Sequence, residues 1–539
     1  ELLVQNVEGI HASTYDINHN INVVYNPTQT KRLGIDGMTN ATLVAYNGNV
    51  TLNDNLILLI RDTCISAGGE QSYVNFNGSF MDGSVTSGNL LVQTDDPDTS
   101  LNNQTSGRGF GYAVLNGDNS GWTGDITISN NAVYNQDTTA ILRLGNSKAL
   151  TAANDVIMNY NSILQAGGQT VTIGSLTTQG GVGNFYGDAG TMSSSTNSST
   201  EIIENASASK ANLTIAQSTP VTYEASWDAF FRDGTINSQF FAPGANVQQV
   251  SASLSITKAG SGWATLTLDN DYTGTTTVKA GVLQVGRNGV GDTGTIAYQN
   301  SVLTTMTSVL SGGTIAGSGI VQGRLSVLSG GTLKTGDSAG AAIGTLTVTG
   351  DALFASGSNA LLQLHSASYN NPGALAATDP NYQYWRDAVT TDSFSTALGD
   401  LVTNAQHDLL VATGTIAFGT GAKITLENDG YTPKAGDVFQ LFQGAGYVGN
   451  LNVGPSLRTG GETTIPNLDL ILFALGGNLL WDVSLFNSHG IVMVVETTTT
   501  LDTSAQLPPV ITEQPSSNQS QTEKLDPGTL VTVSALATG

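Results

Sequence analysis

Lys258-Ala-Gly-Ser-Gly-Trp-Ala-Thr-Leu-Thr-Leu-Asp-Asn-Asp-Tyr-Thr-Gly-Thr-Thr-Thr-Val-Lys-Ala-Gly-Val-Leu-Gln-Val285 is the stretch that decides the fold. From Ala264 to Leu268 apolar and polar residues alternate, as they do in a strand that buries one face. The residues Asp269–Asp271 then turn the chain, and two further short strands follow, separated by Ala280-Gly281. The stretch therefore predicts three strands joined by tight turns.

Strand-sized blocks recur between about residues 111 and 365. A weaker copy of the same phrase runs from Leu115 to Asn130, and Gly-Gly or Ser-Gly-Gly turns separate many of the blocks. A strand-and-turn unit that recurs at near-regular spacing indicates a chain that winds into a solenoid. The clearest blocks are Asp125–Ser129, Ala140–Leu144, Gln169–Gly174, Asn212–Ile215, Ser253–Ile256, Leu325–Leu328, Gly344–Val348 and Ala360–Leu364.

The composition favours an all-β protein with an uncharged polar surface. The 539 residues include 64 glycines and 13 prolines, and only 11% of the residues are charged, against the ~25% typical of soluble proteins. Thr, Ser, Asn and Gln supply the polar surface instead, and these residues suit outward strand positions and turns. An apolar fraction of 39% is enough for a long core and excludes global disorder.

The charge excludes some partners. With 18 basic and 42 acidic residues the net charge is −24, which repels nucleic-acid phosphates and anionic lipid headgroups. No run approaches the ~20 apolar residues of a membrane helix, so we expect no nucleic-acid partner and no membrane span. The single cysteine, Cys64, cannot form a disulfide within the chain, so stability must come from strand ladders and stacked cores.

The patterning divides the chain into five segments. We predict an irregular β region that caps the solenoid over residues 1–110 and β-helix rungs over 111–365. An insertion loop over 366–406, further rungs over 407–496, and a linker with a β tail over 497–539 follow. Helical periodicity is nearly absent, although a helical turn is expected around Trp227–Arg232.

The stretch 258–285 resembles the autotransporter-associated β-strand repeat. It departs from the pattern at Trp263-Ala264 and at Asp269, where glycine is common. Parts of 142–177, 343–354, 408–447 and 480–494 also look like segments of such passengers. The residues that carry the resemblance are Lys258, Gly260, Gly262, Leu266, Leu268, Asn270, Tyr272, Thr273, Gly274, Thr276, Val278, Gly281 and Leu283.

The resemblance implies a right-handed parallel β-helix that is exported to the cell surface of a diderm bacterium. It says little about activity, because adhesins, proteases and proteins of other roles share the scaffold. One departure concerns the carboxy-terminal part, which looks like the opening strands of a bacterial immunoglobulin-like module rather than a membrane barrel. About two strands of that module are present, too few for a sandwich of roughly seven.

The tail offers a candidate exchanged strand. The stretch Thr529–Leu536 is apolar and β-prone, and an unpaired strand of this kind is an aggregation hazard unless a sheet edge receives it. Strand addition to a neighbouring copy is one prediction, and continuation of the module past Gly539 is the other. The residues expected to carry the exchange are Leu530, Val531, Val533 and Leu536.

The insertion 366–406 is the candidate interaction loop. Its aromatic density is far above the chain average of 7%, and loops that project from solenoids are where such proteins place contacts. A lid that packs on the helix flank and a partner contact are both open interpretations, since Tyr, Trp and Arg dominate interface hot spots. The candidate contact residues are Tyr369, Tyr382, Tyr384, Trp385, Arg386 and Phe394.

No motif predicts catalysis. The five histidines are scattered without ligand spacing, and no Gly-x-Ser-x-Gly elbow frames a serine. Acidic pairs at Asp95–Asp98, Asp269 with Asp271, and Glu427 with Asp429 fall in turns, where Asp is favoured for local hydrogen bonds. We therefore predict no enzyme and no cofactor, with calcium between acidic turns as the alternative.

These features predict a secreted structural protein: a surface-layer, sheath, filament or matrix subunit that associates with itself. The first alternative is an adhesin that binds glycans or other surfaces. A polysaccharide-active enzyme is the second, because β-helical hydrolases and lyases act through clustered carboxylates.

Overall fold

A computed structural model describes the chain over most of its strands and turns. It shows two compact units, which are treated separately below: Glu1–Leu361 with Leu409–Lys423 and Gly444–Asn450, and Leu362–Asp408 with Ile424–Gln443 and Leu451–Gly539. The residues described are 2–5, 13–37, 42–62, 71–95, 110–130, 139–159, 162–178, 201–218, 226–237, 248–286, 298–299, 302–303, 306–336, 343–370, 400–401, 406–463, 465–496, 510–511 and 537–538.

The first unit begins with two long parallel sheets and a short third one. In the seven-stranded sheet the strands are β1 (Leu2–Gln5), β4 (Lys31–Gly37), β7 (Leu56–Asp62), β10 (Leu90–Asp95), β12 (Ile126–Asn130), β14 (Val156–Asn159) and β17 (Leu176–Thr178). In the first eight-stranded sheet they are β2 (Ser13–Ile17), β5 (Thr42–Tyr46), β8 (Gln71–Phe76), β11 (Phe110–Leu115), β13 (Thr139–Leu144), β15 (Ser162–Gln165), β18 (Glu201–Glu204) and β21 (Ala229–Arg232). The three-stranded sheet has β3 (Ile21–Val23), β6 (Val50–Leu52) and β9 (Phe80–Asp82).

Two further sheets continue the same unit. The nine-stranded sheet consists of β16 (Thr170–Ile173), β19 (Ala211–Ala216), β24 (Leu254–Ala259), β26 (Thr276–Val278), β30 (Met306–Val309), β33 (Arg324–Val327), β36 (Ala352–Phe354), β41 (Thr415–Phe418) and β45 (Gly446–Gly449). The strands of the second eight-stranded sheet in this unit pair in parallel. They are β20 (Ser226–Trp227), β25 (Trp263–Leu266), β27 (Gly281–Val285), β31 (Gly313–Ala316), β34 (Thr332–Lys334) and the start of β37 (Asn359–Leu364).

Shorter strands complete the first unit. Three of them pair in parallel: β32 (Ile320–Val321), β35 (Thr345–Val348) and β40 (Leu409–Ala412). Two antiparallel pairs are β22 (Thr235–Asn237) with β23 (Gln248–Val250), and β28 (Tyr298–Gln299) with β29 (Val302–Leu303).

The strands stack in sequence order and in register, which makes the first unit a parallel β-helix. Val92, for example, pairs with Leu58 of the preceding rung and Ile128 of the next. Because strand residues alternate between faces, each such row places apolar side chains inside: Leu58, Val92 and Ile128 have no exposed surface. The prediction of an all-β, solenoid fold is confirmed.

The amino-terminal region differs from the prediction of an irregular cap. Its strands join the same two long sheets as the strands that follow, and both sheets continue across the boundary expected near residue 110. The region looked irregular because its rungs are long and vary in length, so that the strand spacing is not constant along the sequence. Its described strands are rungs of the helix.

Aromatic rings stack inside these early rungs. The ring centroids of Tyr46 and Phe76 are 5.5 Å apart, those of Phe76 and Phe80 are 5.0 Å apart, and those of Phe80 and Trp122 are 5.6 Å apart. The Trp122 indole N–H donates to the carbonyl oxygen of Gly88 at 2.8 Å, so its polar atom is satisfied within the core.

The expected helical turn around Trp227 is wrong. Residues 226–227 and 229–232 form strands, and Ala229 and Phe231 alternate with more exposed neighbours along β21. Pairing with β18 imposes the extended conformation, because this short apolar run fits the open side of the first eight-stranded sheet.

The second unit is built mainly on an antiparallel sheet, which corrects the prediction of β-helix rungs throughout 407–496. Strands β40, β41 and β45 are parallel rungs of the first unit. Ile424 and Thr425 also pair in parallel with Leu470 and Ile471, whereas the strands of the six-stranded sheet pair antiparallel throughout. The sheet contains β38 (Tyr369–Asn370), β39 (Asp400–Leu401), β43 (Asp437–Gln440), β46 (Leu457–Arg458), β48 (Leu479–Asp482) and β49 (Ile491–Glu496).

Trp481 lies at the centre of the second unit. Its ring packs against Phe473 at 5.4 Å and Phe439 at 6.0 Å, and its indole N–H donates to the Phe473 carbonyl. The helix α1 (Phe486–His489) ends at Gly490, whose φ of 68° reverses the chain into β49. The unit also contains β42 (Lys423–Asn428, from Ile424 on), β44 (Phe442–Gln443), β47 (Leu470–Ile471), and the pair β50 (Val510–Ile511) and β51 (Ala537–Thr538).

Candidate functional site

Asparagine side chains join successive rungs of the early helix along one line of turns. The Nδ2 group of Asn47 donates to Oδ1 of Asn18 at 2.8 Å, Asn77 donates to Asn47 at 2.8 Å, and Asn116 donates to Asn77 at 3.0 Å. These partners are 29, 30 and 39 residues apart in sequence. An amide suits this place because it donates to one neighbour and accepts from the other.

A second ladder runs along another line of turns. Here the side-chain oxygen of each rung accepts the backbone N–H of the next: Asn55 from Asn89 at 2.9 Å, Asn89 from Asp125 at 2.9 Å, and Asp125 from Asp155 at 3.2 Å. Turn N–H groups that no strand ladder reaches are satisfied in this way. Asn55, Asn89 and Asp125 can all serve in this ladder because each position needs only a side-chain oxygen that accepts a backbone N–H.

The glycines beside the first ladder allow close stacking of the turns. A Cβ atom on Gly78 would lie 2.0 Å from the carbonyl oxygen of Gly48, and one on Gly117 would lie 2.2 Å from that of Gly78. The recurring Asn-Gly pairs at 47–48, 77–78 and 116–117 are thus the sequence feature that marks these stacked turns. Because the pairs are unequally spaced, they were not recognised as a repeat in the sequence.

In the central stretch a buried lysine replaces the amide ladder. Lys258 lies in an inward row between Ile215 and Val278, and its side chain has no exposed surface. Its Nζ atom donates to the carbonyl oxygens of Ala259, at 2.8 Å, and of two other turn residues at 3.0 and 3.1 Å. Burial lowers the pKa of the amine to about 8.

The other recurring residues of this stretch also join rungs. Asn270 accepts the backbone N–H of Phe231 at 2.9 Å, and the Tyr272 hydroxyl lies 2.6 Å from that of Thr276 inside the core. The carboxylate of Asp233 accepts the N–H groups of Leu254 and Thr273. The motif is therefore structural, since its polar residues satisfy polar groups of the same rung or of a neighbouring one.

The outward row of the nine-stranded sheet changes character along its length. Its first six residues carry hydroxyl groups, and its last three are apolar. In register order they are Thr172, Thr214, Thr257, Thr277, Ser308, Ser326, Leu353, Ala417 and Val448. Leu353 is 39% exposed and Val448 is 60% exposed, so the row ends in an apolar patch on the surface. We call Leu353, Ala417 and Val448 the terminal patch.

The terminal patch lies at the edge of its sheet. Strand β45, which carries Val448, pairs with β41 on one side and with no strand of the described residues on the other. The same holds for the first rung, where β1, β2 and β3 are the end strands of their sheets within the described part of the chain. Such edges present unpaired N–H and C=O groups.

Most of the predicted site residues cannot be placed. Of the loop candidates only Tyr369 is described, and its backbone pairs with Leu401 and Val438 in the antiparallel sheet of the second unit. The other five, Tyr382, Tyr384, Trp385, Arg386 and Phe394, lie outside the described residues. So do Leu530, Val531, Val533 and Leu536 of the tail, and Cys64. The interaction loop, the exchanged strand and the immunoglobulin-like module remain predictions.

The acidic turns are solvated or locally bonded where they are described. Asp269 and Asp271 are exposed, and the Asp429 carbonyl contacts Nδ1 of His365 at 2.5 Å. No group of three or more His, Cys, Asp or Glu residues in the described ranges is arranged to hold a metal ion. The alternative of calcium between turns stays untested, as does the expectation that no cofactor binds.

A buried serine contacts a histidine in the second unit. The Ser368 hydroxyl lies 2.6 Å from Nε2 of His407, whose other ring nitrogen contacts the Asp408 carbonyl oxygen. The Asp408 carboxylate accepts the N–H of Gln363 rather than orienting the imidazole. Burial lowers the pKa of His407, and Ser368 is only 7% exposed. Sequence spacing gave no sign of this contact, because 39 residues separate the two side chains.

Comparison with known families matches the central stretch. Residues 256–285 match the model of the passenger-associated-transport-repeat, and no curated protein matches the chain. Among the described residues, no helix has the length and apolar character needed to cross a membrane. A repeat of this kind implies that the protein is secreted or surface-exposed. The chain carries an autotransporter passenger repeat, folded as rungs of a parallel β-helix.

Proposed function

We propose that the chain is a structural subunit of an extracellular bacterial surface, and that it associates head to tail with further copies of itself. The observation that carries the proposal is the terminal patch on an open sheet edge. Leu353 and Val448 are two of the large apolar side chains that remain exposed in the described residues. Apolar residues on an unpaired edge strand favour pairing with another chain.

The first rung supplies a complementary surface. Strands β1, β2 and β3 are end strands, so their outer N–H and C=O groups can extend another copy's sheets. A contact between unlike ends does not close on itself unless the rotation forms a ring, so it produces a filament. The Asn22 side chain on β3 is exposed, and Val448 is exposed on β45.

The polar exterior supports a structural role. The amide ladder of Asn18, Asn47, Asn77 and Asn116 joins rungs through uncharged groups, so its strength depends little on salt. The net charge of −24 keeps the copies soluble by mutual repulsion.

The chemistry of the Ser368–His407 pair supports a non-catalytic role as well. The serine hydroxyl accepts the backbone N–H of Gln440 at 3.0 Å and is held within the sheet. The histidine stacks edge-on against Phe439 at 6.0 Å. A nucleophile needs access to substrate, and this hydroxyl is enclosed by backbone and aromatic groups.

Sedimentation velocity across protein concentration tests the proposal. Wild-type protein should form larger species as concentration rises, and Val448→Lys should shift the association to at least tenfold higher concentration, because a charge would be buried in an apolar contact. Thr277→Lys is the matched control: it places the same charge in the same outward row, away from the edge, and should leave the association unchanged.

Two results would contradict the proposal. One is that the protein stays monomeric at every concentration. The other is that Val448→Lys and Thr277→Lys weaken association equally. Deletion of residues 507–539 separates this contact from the predicted tail exchange, since the terminal patch should still mediate association without the tail.

A further inference from the structure

We propose that a groove on the seven-stranded sheet binds a neutral oligosaccharide. The groove has a volume of about 630 Å³, within the ~300–1,000 Å³ of small-molecule sites. It lies between the outer face of β7, β10, β12 and β14 and the segment 26–31, wholly within the first unit. This site is separate from the terminal patch and does not depend on self-association.

The floor of the groove consists of two outward rows in register. One row is partly apolar, with Ile57, Leu91 and Thr127 aligned on successive strands. The next is polar, with Gln93, Ser129 and Asn159. All six side chains are partly exposed.

This pairing of rows matches the surface of a sugar ring. The C–H face of a pyranose is apolar and packs on aliphatic side chains, whereas its rim carries hydroxyl groups that both donate and accept hydrogen bonds. Amides and hydroxyls offer both functions from one side chain.

The wall of the groove is fixed before any ligand arrives. The Nζ atom of Lys31 donates to the carbonyl oxygens of Asn26, at 2.8 Å, and Gln29, at 2.6 Å, and to the carboxylate of Asp54 at 2.9 Å. Asp54 also accepts the N–H of Asn26. The Asn26 N–H and then the Lys31 ammonium lower the pKa of this carboxyl to about 2. A preformed wall reduces the entropy lost on binding.

The charges select a neutral ligand. Lys31 and Asp54 are the charged side chains among the described residues that line the groove, and they pair with each other. Among the described lining residues no unpaired cation therefore remains to bind a uronate or sulfate, and the exposed Arg32, in register with Ile57, lies beyond the lining. The net charge of −24 further disfavours anionic polysaccharides.

Isothermal titration with four neutral hexasaccharides, those of cellulose, chitin, starch and mannan, tests the inference on the full chain. At least one should bind with a dissociation constant in the micromolar to low millimolar range. Gln93→Ala and Leu91→Gln should each weaken that binding at least fivefold, because one removes a hydrogen-bonding group and the other the apolar strip. Circular dichroism establishes that both variants are folded.

Thr214→Ala is the matched control, an outward strand residue on a different sheet, and should bind as the wild type does. A hyaluronan hexasaccharide and an uncharged Asn/Gln-rich peptide of similar length should bind at least tenfold more weakly than the best neutral sugar. The inference is overturned if no neutral hexasaccharide binds at 10 mM, if the peptide or hyaluronan binds better, or if Gln93→Ala and Leu91→Gln bind like Thr214→Ala.

Discussion

The early rungs and the passenger repeat satisfy the same requirement with different side chains. In the early rungs, exposed amides such as Asn47 and Asn77 bond rung to rung at the surface, across sequence separations of about 30 residues. In the repeat, Lys258 and Asn270 do so from buried positions, and Ser255 bonds to Thr275 only 20 residues away. The early rungs also have buried amides, since Asn119 accepts the Phe80 N–H and Asn154 donates to the Gly124 carbonyl, each at 2.8 Å. What distinguishes them is the additional ladder of exposed amides.

The difference teaches where each region is vulnerable. A surface amide that is lost leaves groups that water can reach, so the cost is small. A buried donor or acceptor that is lost leaves its partner desolvated, and the cost rises to ~1–3 kcal/mol. We therefore expect the exposed amide ladder of the early rungs to tolerate substitution better than the buried polar residues of the repeat, while both regions should be equally sensitive to crowding of their stacked turns.

The largest expected effect is the crowding of stacked turns. Gly78→Ala in the early rungs and Gly274→Ala in the repeat would each place a Cβ 2.0 Å from a carbonyl oxygen of the neighbouring rung. Backbone must move to relieve that overlap, and each variant should lose about 3–5 kcal/mol of unfolding free energy.

Gly121→Ala is the control for this pair, because a Cβ at that position meets no atom within 4 Å. Urea denaturation followed by circular dichroism measures all three variants. Equal midpoints for Gly78→Ala and Gly121→Ala would mean that the turns are not stacked as described.

The next effect is a pH dependence specific to the repeat. The pKa of Lys258 is about 8 in the folded protein and 10.5 ordinarily, so between these values the unfolded chain binds a proton that the folded chain does not. Stability contributed by this site therefore rises as pH increases from about 8 to about 10.5, by up to about 3 kcal/mol, relative to Lys258→Met.

We compare the unfolding free energy of wild type with that of Lys258→Met at each pH in that window. Tyrosine titration affects both proteins alike, so the difference reports on the lysine alone. Below pH 8 the difference should be flat. A difference that is constant up to pH 10.5, or that falls, would contradict the burial of an amine whose pKa is lowered.

A pair of asparagines compares the two kinds of rung directly. Asn270→Ala should cost about 2–3 kcal/mol, because the Phe231 N–H loses its acceptor in a buried turn. Asn77→Ala removes two exposed side-chain bonds and should cost about 1 kcal/mol. Thermal and urea unfolding of both variants measures the two losses of unfolding free energy. A larger loss for Asn77→Ala than for Asn270→Ala would contradict the comparison.

The smallest effect concerns neighbouring threonines on opposite faces of β26. Thr277→Val changes an outward residue and should alter stability by less than about 0.5 kcal/mol. Thr276→Val removes the hydroxyl that bonds Tyr272 in the core and should cost about 1–2 kcal/mol. Equal losses for the two variants would mean that the strand faces are wrongly assigned.

Much of the fold was predictable because strand alternation is a local property. The strands at 125–129, 212–215 and 344–348 lie where alternation placed them, within a residue or two. The register of the amide ladders was not predictable, since it depends on turns whose lengths differ. The antiparallel pairing of the strands around Trp481 was not predicted either, because apolar alternation is the same in parallel and antiparallel strands.

The surface sites were less accessible to sequence reasoning. The terminal patch joins Leu353, Ala417 and Val448, which no local pattern connects across the long insertion. The groove joins residues from Asn26 to Asn159 over several rungs. Only the register of the strands brings such distant positions to one face.

Head-to-tail association between the first rung and the terminal patch is tested most directly by cross-linking two single-cysteine variants. In a Cys64→Ser background, Asn22→Cys and Val448→Cys are mixed and treated with a short bismaleimide. We expect cross-linked products from the mixture, joining Asn22→Cys to Val448→Cys, and none from either variant alone. Products from Val448→Cys alone would indicate a symmetric contact, and no products at concentrations where wild type assembles would contradict the contact altogether.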